Sequence, residues 1–358
     1  MISRVLGSSG IEVSGIGLGC WAIGGPDSNL GLPMGWGPVA DRDAIAGLEH
    51  AWESGVTLFD TADVYGHGRS ERLLGELVAQ VPRHRIRLVS KVGYFAGTAP
   101  HGYDAGHMRR QLEQSLANLD TDHLDVYFFH HSEFGTGNER LELALEAMNG
   151  FREEGLIRAI GMRGPHRYAP DRVSGAPKTD KEKRFRELFD RIGPQVLAVR
   201  DNLLTPSDRS HGIFSFAEAH GCGVLINKPL SQGLLTGTYD PTRPRVFGEG
   251  DHRSRKRWFT AEAIAVINEG LDQVRALVGP EPGNLVRIAL WACLSRSDNA
   301  AVLVGFSNPA QVDANLFCLG ARPEQELIEQ ARLIMAGVQQ RLDADGEVFV
   351  DETAGASR

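Results

Sequence analysis

Four residues of this chain have the types that move a proton to or from a carbonyl oxygen: Asp60, Tyr65, Lys91 and His130. Each stands at or just past an apolar run that reads as a β-strand. Residues 55–59 lead into Asp60, with Tyr65 on the loop that follows; 86–90 deliver Lys91 and 124–129 deliver His130. A phenol is a poor acid at neutral pH, with an ordinary pKa of about 10. A nearby ammonium favours the phenolate and eases proton donation. Lys91 has that charge, Asp60 can hold it charged and oriented, and His130 can donate a hydrogen bond to a substrate carbonyl while Tyr65 gives or takes the proton. Carbonyl reduction needs this set, because an alkoxide develops as hydride arrives. Taken singly, a strand-end Asp or Lys reads as a helix cap or solvated charge, and the His as a satisfied core residue. Three successive strand ends carrying them together point to a site.

Holding such groups in one place requires strands that alternate with helices. Residues 16–19 read as a first strand. Residues 42–53 have helical apolar spacing through Ile45, Leu48 and Trp52, with Asp41 as N-cap. Helical stretches follow at 71–80, 106–119, 139–154 and 181–192, the fourth of these five stopping before Gly155. Strands five to eight fall at 157–162, 196–199, 223–226 and 301–304. This order predicts an α/β fold, a (β/α)8 TIM barrel, with polar residues gathered at the strand C-termini. Long Gly/Pro-rich or charged loops at 26–39, 165–179 and 238–257 extend that face. Residues 1–345 form one domain in this reading, and 346–358 a flexible tail.

The chain of 358 residues suits one barrel with insertions. Hydrophobic residues at 42% and charged residues at 23% are ordinary for a soluble globular protein. A net charge of −8 argues against a nucleic-acid or anionic-membrane partner. No segment is apolar for long enough to suggest a membrane span or signal peptide, so a cytoplasmic location is expected. Cys20, Cys222, Cys293 and Cys318 are widely spaced. They read as free thiols, with no metal site expected. The basic clusters 107–110, 181–186 and 253–257 read as solvated faces or loops; the last is also suited to an anionic cofactor or substrate.

The motifs in combination resemble the aldo-keto reductases over residues 1–340. Residues 4–14 are similar to that family's N-terminal β-hairpin. Asp60-Thr61-Ala62-Asp63-Val64-Tyr65-Gly66 with Gly68-Arg69-Ser70-Glu71 is similar to its strand-two signature. Residues 90–93 match its lysine motif, 125–130 its histidine motif, and 229–237 its pyrophosphate-covering loop. The resemblance implies the tetrad roles given above and NADP or NAD as cofactor. It places cofactor contacts at Arg163, Asn227, Leu230, Gln232, Gly233, Leu235, Gly305, Ser307, Gln311 and Asn315.

The chain departs from that pattern at the nicotinamide end. The family's Ser-Asn after strand five is here Arg163-Gly164. Ala198 replaces a strand-six Gln, and Asn227 followed by Lys228 replaces a stacking aromatic. Either the site is rebuilt, with cations where carboxamide partners stood, or the register is shifted by a residue, or other groups hold the ring. The segment 305–308 also lacks the Lys or Arg that holds a 2′-phosphate, which makes NAD more plausible. The expected function is oxidoreduction of a carbonyl or hydroxyl on a small polar, possibly sugar-like molecule. The alternatives are a redox-neutral lyase, dehydratase or epimerase on the same barrel, and a non-catalytic binding subunit. The oligomeric state is left open.

Overall fold

The structure, a computed structural model, describes residues 1–166, 168–170, 180–317 and 319–350. The chain begins with a hairpin, β1 (Ser3–Val5) and β2 (Glu12–Ser14). Eight parallel strands then close into a barrel. They are β3 (Ile16–Gly19), β6 (Leu58–Asp60), β7 (Arg87–Val92), β8 (Leu124–Phe129), β9 (Ile157–Arg163), β10 (Val196–Arg200), β11 (Gly223–Asn227) and β12 (Ala300–Gly305). A short hairpin, β4 (Ser28–Asn29) with β5 (Leu32–Pro33), lies in the loop after β3. The expected (β/α)8 barrel is the fold observed.

Side chains alternate across each strand, and that period of two separates an inner core from an outer one. Inward residues Leu58, Val89, Val126, Phe128, Ala159, Val196, Ala198, Leu225, Ala301 and Leu303 pack inside the barrel. Leu6, Ile11 and Val13 of the hairpin join this cluster and plug the N-terminal end. Outward residues such as Phe59, Leu88, Tyr127, Ile160 and Val302 belong to the core shared with the helices. Gly161 shows how tight the interior is: a Cβ there would meet the Phe128 ring at 2.6 Å. Continuing the inward alternation past the apolar layer gives Asp60, Lys91, His130, Arg163, Asn227 and Gly305. The apolar layer therefore supports a polar ring at the barrel's C-terminal mouth.

The helices are α1 (Asp41–Glu53), α2 (Arg69–Val78), α3 (Ala105–Asn118), α4 (Leu141–Glu153), α5 (Lys181–Ile192), α6 (Ser207–Ala219), α7 (Ala261–Val278), α8 (Pro282–Leu294), α9 (Pro309–Phe317) and α10 (Gln325–Ala344). Local chemistry sets several ends. Asp104 caps α3 by accepting from His107 N at 3.2 Å, and Asp180 caps α5 by accepting from Glu182 N and Lys183 N. Gly193 closes α5 in the left-handed region, φ 58°. Asp41 is not the cap of α1; it is the first helical residue, favourable there through its charge, while Ala40 holds the cap position. Two helices, α7 and α8, separate β11 from β12, and α10 packs on α7.

Two further expectations are revised. The segment 253–257 is not a solvated loop: Arg253, Arg255 and Lys256 are buried, around the single-turn 3-10 helix His252–Arg255. The tail does not leave the protein at 346. Arg257 N donates to Val348 O at 2.9 Å, Arg257 Nε to Glu347 O at 3.1 Å, and Phe349 is buried against this loop. The rest of that tail, 351–358, and most of the 165–179 loop lie outside the described residues, as does Cys318. Cys20, Cys222 and Cys293 are buried and free.

Candidate active site

The barrel mouth brings the four proton-handling residues together. Lys91 Nζ lies 2.8 Å from Asp60 Oδ1 and 2.9 Å from Oδ2, and also donates to Thr61 O. The same ammonium sits 4.9 Å from the centroid of the Tyr65 ring. The His130 ring meets Tyr65 edge-on at 5.8 Å and Tyr94 at 4.9 Å. Asp60, Lys91 and His130 are buried and Tyr65 is half-buried. Lys91 lies within β7 rather than past its end, and its side chain points inward by the same alternation that points Asp60 inward from β6.

Burial governs the electrostatics of this cluster. It pushes the Asp60 carboxyl up, against the pull of Lys91. It pushes the Tyr65 phenol up, a rise that Lys91 opposes and Asp60 reinforces. For Lys91 burial works downward, but Asp60 and Tyr65 more than offset it, so the ammonium is held above its ordinary value. Burial, then the charges of Lys91 and Arg163, hold His130 well below its usual range. The imidazole is therefore neutral, with one N–H to donate. Its Nδ1 is buried with no hydrogen-bond partner among the described residues.

One cavity of about 1760 Å³ runs from this cluster along the mouth. Asp60, Tyr65, Lys91, His130, Arg163, Asn227, Leu230, Gln232, Gly233, Gly305, Ser307, Gln311 and Asn315 all line it. Leu235, expected among the cofactor contacts, does not; it is fully buried in the outer core. The chain after β11 turns through left-handed backbone at Lys228 (φ 59°), Ser231 (φ 48°), Gln232 (φ 61°) and Gly233 (φ 92°). Non-glycine residues held there carry strain that a ligand-cradling loop tolerates. Gln232 Oε1 accepts from Lys256 Nζ, which ties this loop to 251–257, while its Nε2 is buried without a partner. At the other end Ser307 N donates to Gln311 Oε1 at 2.8 Å, and Asn315 Nδ2 to Gly305 O at 3.4 Å. At the β11 end, the Asn227 Oδ1 is buried and unpartnered. A groove with two orphaned amide groups after β11 and further amides, Gln311 and Asn315, at its other end fits a polar dinucleotide, and an amide such as a carboxamide is the partner Asn227 Oδ1 lacks.

The pairing of β8, β9 and β10 places Arg163 beside the proton-handling groups. Phe129 pairs with Met162, so His130 and Arg163 are neighbours one step on, and Arg163 in turn pairs with Ala198. Trp21 and Tyr94 are site residues that the sequence reading did not single out. Trp21 lies 6.3 Å from the Tyr65 ring, with Lys228 Nζ 5.0 Å from its own. Its signal was available, since it follows β3 by two residues. The loop after β3 also meets 238–257: Gly35 N donates to Gly250 O at 2.9 Å and His252 N to Gly35 O at 3.0 Å, walling the cavity. Among the described residues no cluster of His, Cys, Asp or Glu could hold a metal ion, and no helix is long and apolar enough to cross a membrane.

The model of the Aldo/keto reductase family matches residues 15–331. An L-galactose dehydrogenase of Arabidopsis thaliana is 26% identical over 353 residues, covering 94% of this chain and 95% of that protein. An NADH-specific methylglyoxal reductase of Escherichia coli (strain K12) is 27% identical over 332 residues, covering 88% and 92%. Among solved structures, a glycerol dehydrogenase from Gluconobacter oxydans superposes with a TM-score of 0.71 at 23% identity, covering 94% of this chain and 95% of that one. At that identity the superposition establishes the fold.

Proposed function

This chain belongs to the aldo-keto reductase family and is an oxidoreductase of that family, and from that premise we propose that it uses Tyr65 as acid and base on the oxygen of a small polar, sugar-like substrate, with NAD or NADP as cofactor. The observation that carries the reading is the Lys91 ammonium, fixed by both Asp60 oxygens and set against the Tyr65 ring. In the reducing direction the neutral His130 donates its N–H to the substrate carbonyl and orients it. Tyr65 gives up its proton as the oxygen becomes an alkoxide. Lys91 stabilises the phenolate left behind, and Asp60 keeps Lys91 charged. The bound dinucleotide supplies or accepts the hydride. Leu230, Gln232, Gly233, Gly305, Ser307, Gln311 and Asn315 would hold it along the groove, with Asn227 at the nicotinamide end. The stretch 305–317 contains no Lys or Arg to pair with a 2′-phosphate, which favours NAD. The relatives named for L-galactose and methylglyoxal support a small polar substrate.

The test is Tyr65→Phe, assayed by dinucleotide absorbance against a panel of aldehydes, ketones and sugars. Its kcat should fall about 10²–10⁴-fold while dinucleotide affinity stays near wild type, because the phenol acts on substrate oxygen. Retention of more than about a tenth of kcat would remove Tyr65 from the role. Substrate conversion by the wild type with no change in the dinucleotide would favour redox-neutral chemistry instead.

A further inference from the structure

The cavity carries the opposite charge to the chain that builds it. The protein is at −8 overall, yet nine Lys and Arg against five Asp and Glu line the cavity. Arg253 and Lys256 stand at the 229–237 loop and are engaged, with Asp251 and Gln232 respectively. Arg163 stands at the reacting end and is different. It is half-buried, and no hydrogen bond or ion pair involves its guanidinium among the described residues. Its neighbours in register are His130 on one side and the small Ala198 on the other, and all three line the cavity. Its charge is felt at Asp60, Tyr65 and His130.

Asp60 feels the Arg163 charge, but both its oxygens are held by Lys91, and a half-buried guanidinium short of a hydrogen-bonded anion is stabilised when a ligand supplies one. The nicotinamide carboxamide is neutral and cannot do so. A carboxylate can, because its two oxygens match the planar fork of Arg donors. We propose that Arg163 binds a carboxylate of the substrate, close to the carbonyl that Tyr65 and His130 engage, so that the enzyme acts on oxo acids or acidic sugars. Arg163 is thus a specificity determinant, and this assignment rests on the oxidoreductase reading of the site.

The experiment compares matched carbonyl compounds, glyoxylate with glycolaldehyde and D-glucuronate with D-glucose, using wild type, Arg163→Gln and Arg163→Lys. In the wild type at least one acid should exceed its neutral twin in kcat/KM. Arg163→Gln should lower the acid-to-neutral ratio by about 10- to 100-fold, the value of a charge-assisted hydrogen-bonded pair, and Arg163→Lys should restore part of it. A ratio that Arg163→Gln leaves within about threefold, or neutral twins preferred in both pairs, overturns the proposal while the oxidoreductase reading stands. If none of the four compounds is turned over, calorimetric titration with oxalate decides. Oxalate bound by the wild type and not by Arg163→Gln supports the anion site despite failure of the catalytic reading. Oxalate bound by neither overturns the site itself.

Discussion

Replacing Lys91 with Met should move the acid limb of alcohol oxidation to higher pH. The Lys91 ammonium lies 4.9 Å from the Tyr65 ring centroid, and a unit charge at about 5 Å, at an effective dielectric near 20, is worth roughly 3 kcal/mol. Asp60, in contact with Lys91 at 2.8 Å, opposes part of that, and the pair together pulls the Tyr65 phenol down. In Lys91→Met the buried Asp60 loses its counter-charge and takes up a proton, which removes both contributions. Oxidation needs the phenolate, so at any pH below the Tyr65 value the rate should drop about tenfold for each pH unit by which the limb moves. The measurement is kcat/KM for a substrate alcohol across pH. A profile superimposable on the wild type would refute the assigned pairing. Folding gives a second readout. Breaking a buried pair costs about 3–5 kcal/mol, but protonating Asp60 relieves it. With its folded value raised above the ordinary carboxylate value of about 3.9, the stability Asp60 contributes is present at low pH and lost as pH rises toward that folded value. Urea midpoints for the variant should therefore fall as pH rises, and the kinetics are best taken at the acidic end.

Asp63 has both carboxyl oxygens buried without a partner, and burial, then Glu71, pushes it well above the usual carboxylate range. Its stability contribution is present below about pH 4 and is lost at about 1.4 kcal/mol per pH unit as pH climbs toward the folded value; Asp63→Asn should remove that slope from urea midpoints, and an unchanged slope would assign the effect elsewhere. Gly161→Ala should destabilise by about 1–3 kcal/mol in the same assay, because its Cβ meets the Phe128 ring at 2.6 Å. Phe349→Ala should raise the dinucleotide Kd several-fold by fluorescence titration: its ring packs 5.3 Å from the Arg255 guanidinium and 5.8 Å from Lys256 Nζ, and Lys256 holds Gln232. An unchanged Kd would show that the tail does not support the cradle.

The sequence by itself determined the barrel and the tetrad, because both are written in short-range periods. Apolar runs of four to six residues ending in Asp60, Lys91 and His130 specify parallel strands, and the period of two decides which side chain faces inward. Helix α5 was legible in the same way, from its apolar spacing between Asp180 and Gly193. What the sequence left undecided depends on contacts between distant segments. Leu235 stands in a motif whose neighbours line the cavity, and only the turn of the chain after Leu230 sends it into the core. The charged run 253–257 has the composition of a solvated loop; beyond its local pairing with Asp251, its burial comes from Gln232 and the returning residues 347–349, which are distant in the sequence. Arg163 is the sharpest case. Its type and position were plain in the sequence, but whether it paired with a loop carboxylate or faced the reacting groups depended on the alignment of β8, β9 and β10. A local pattern decides which face of a strand turns inward, but which residue of the next strand stands beside Arg163, and which loop closes over the mouth, is settled only by the packing of the whole barrel.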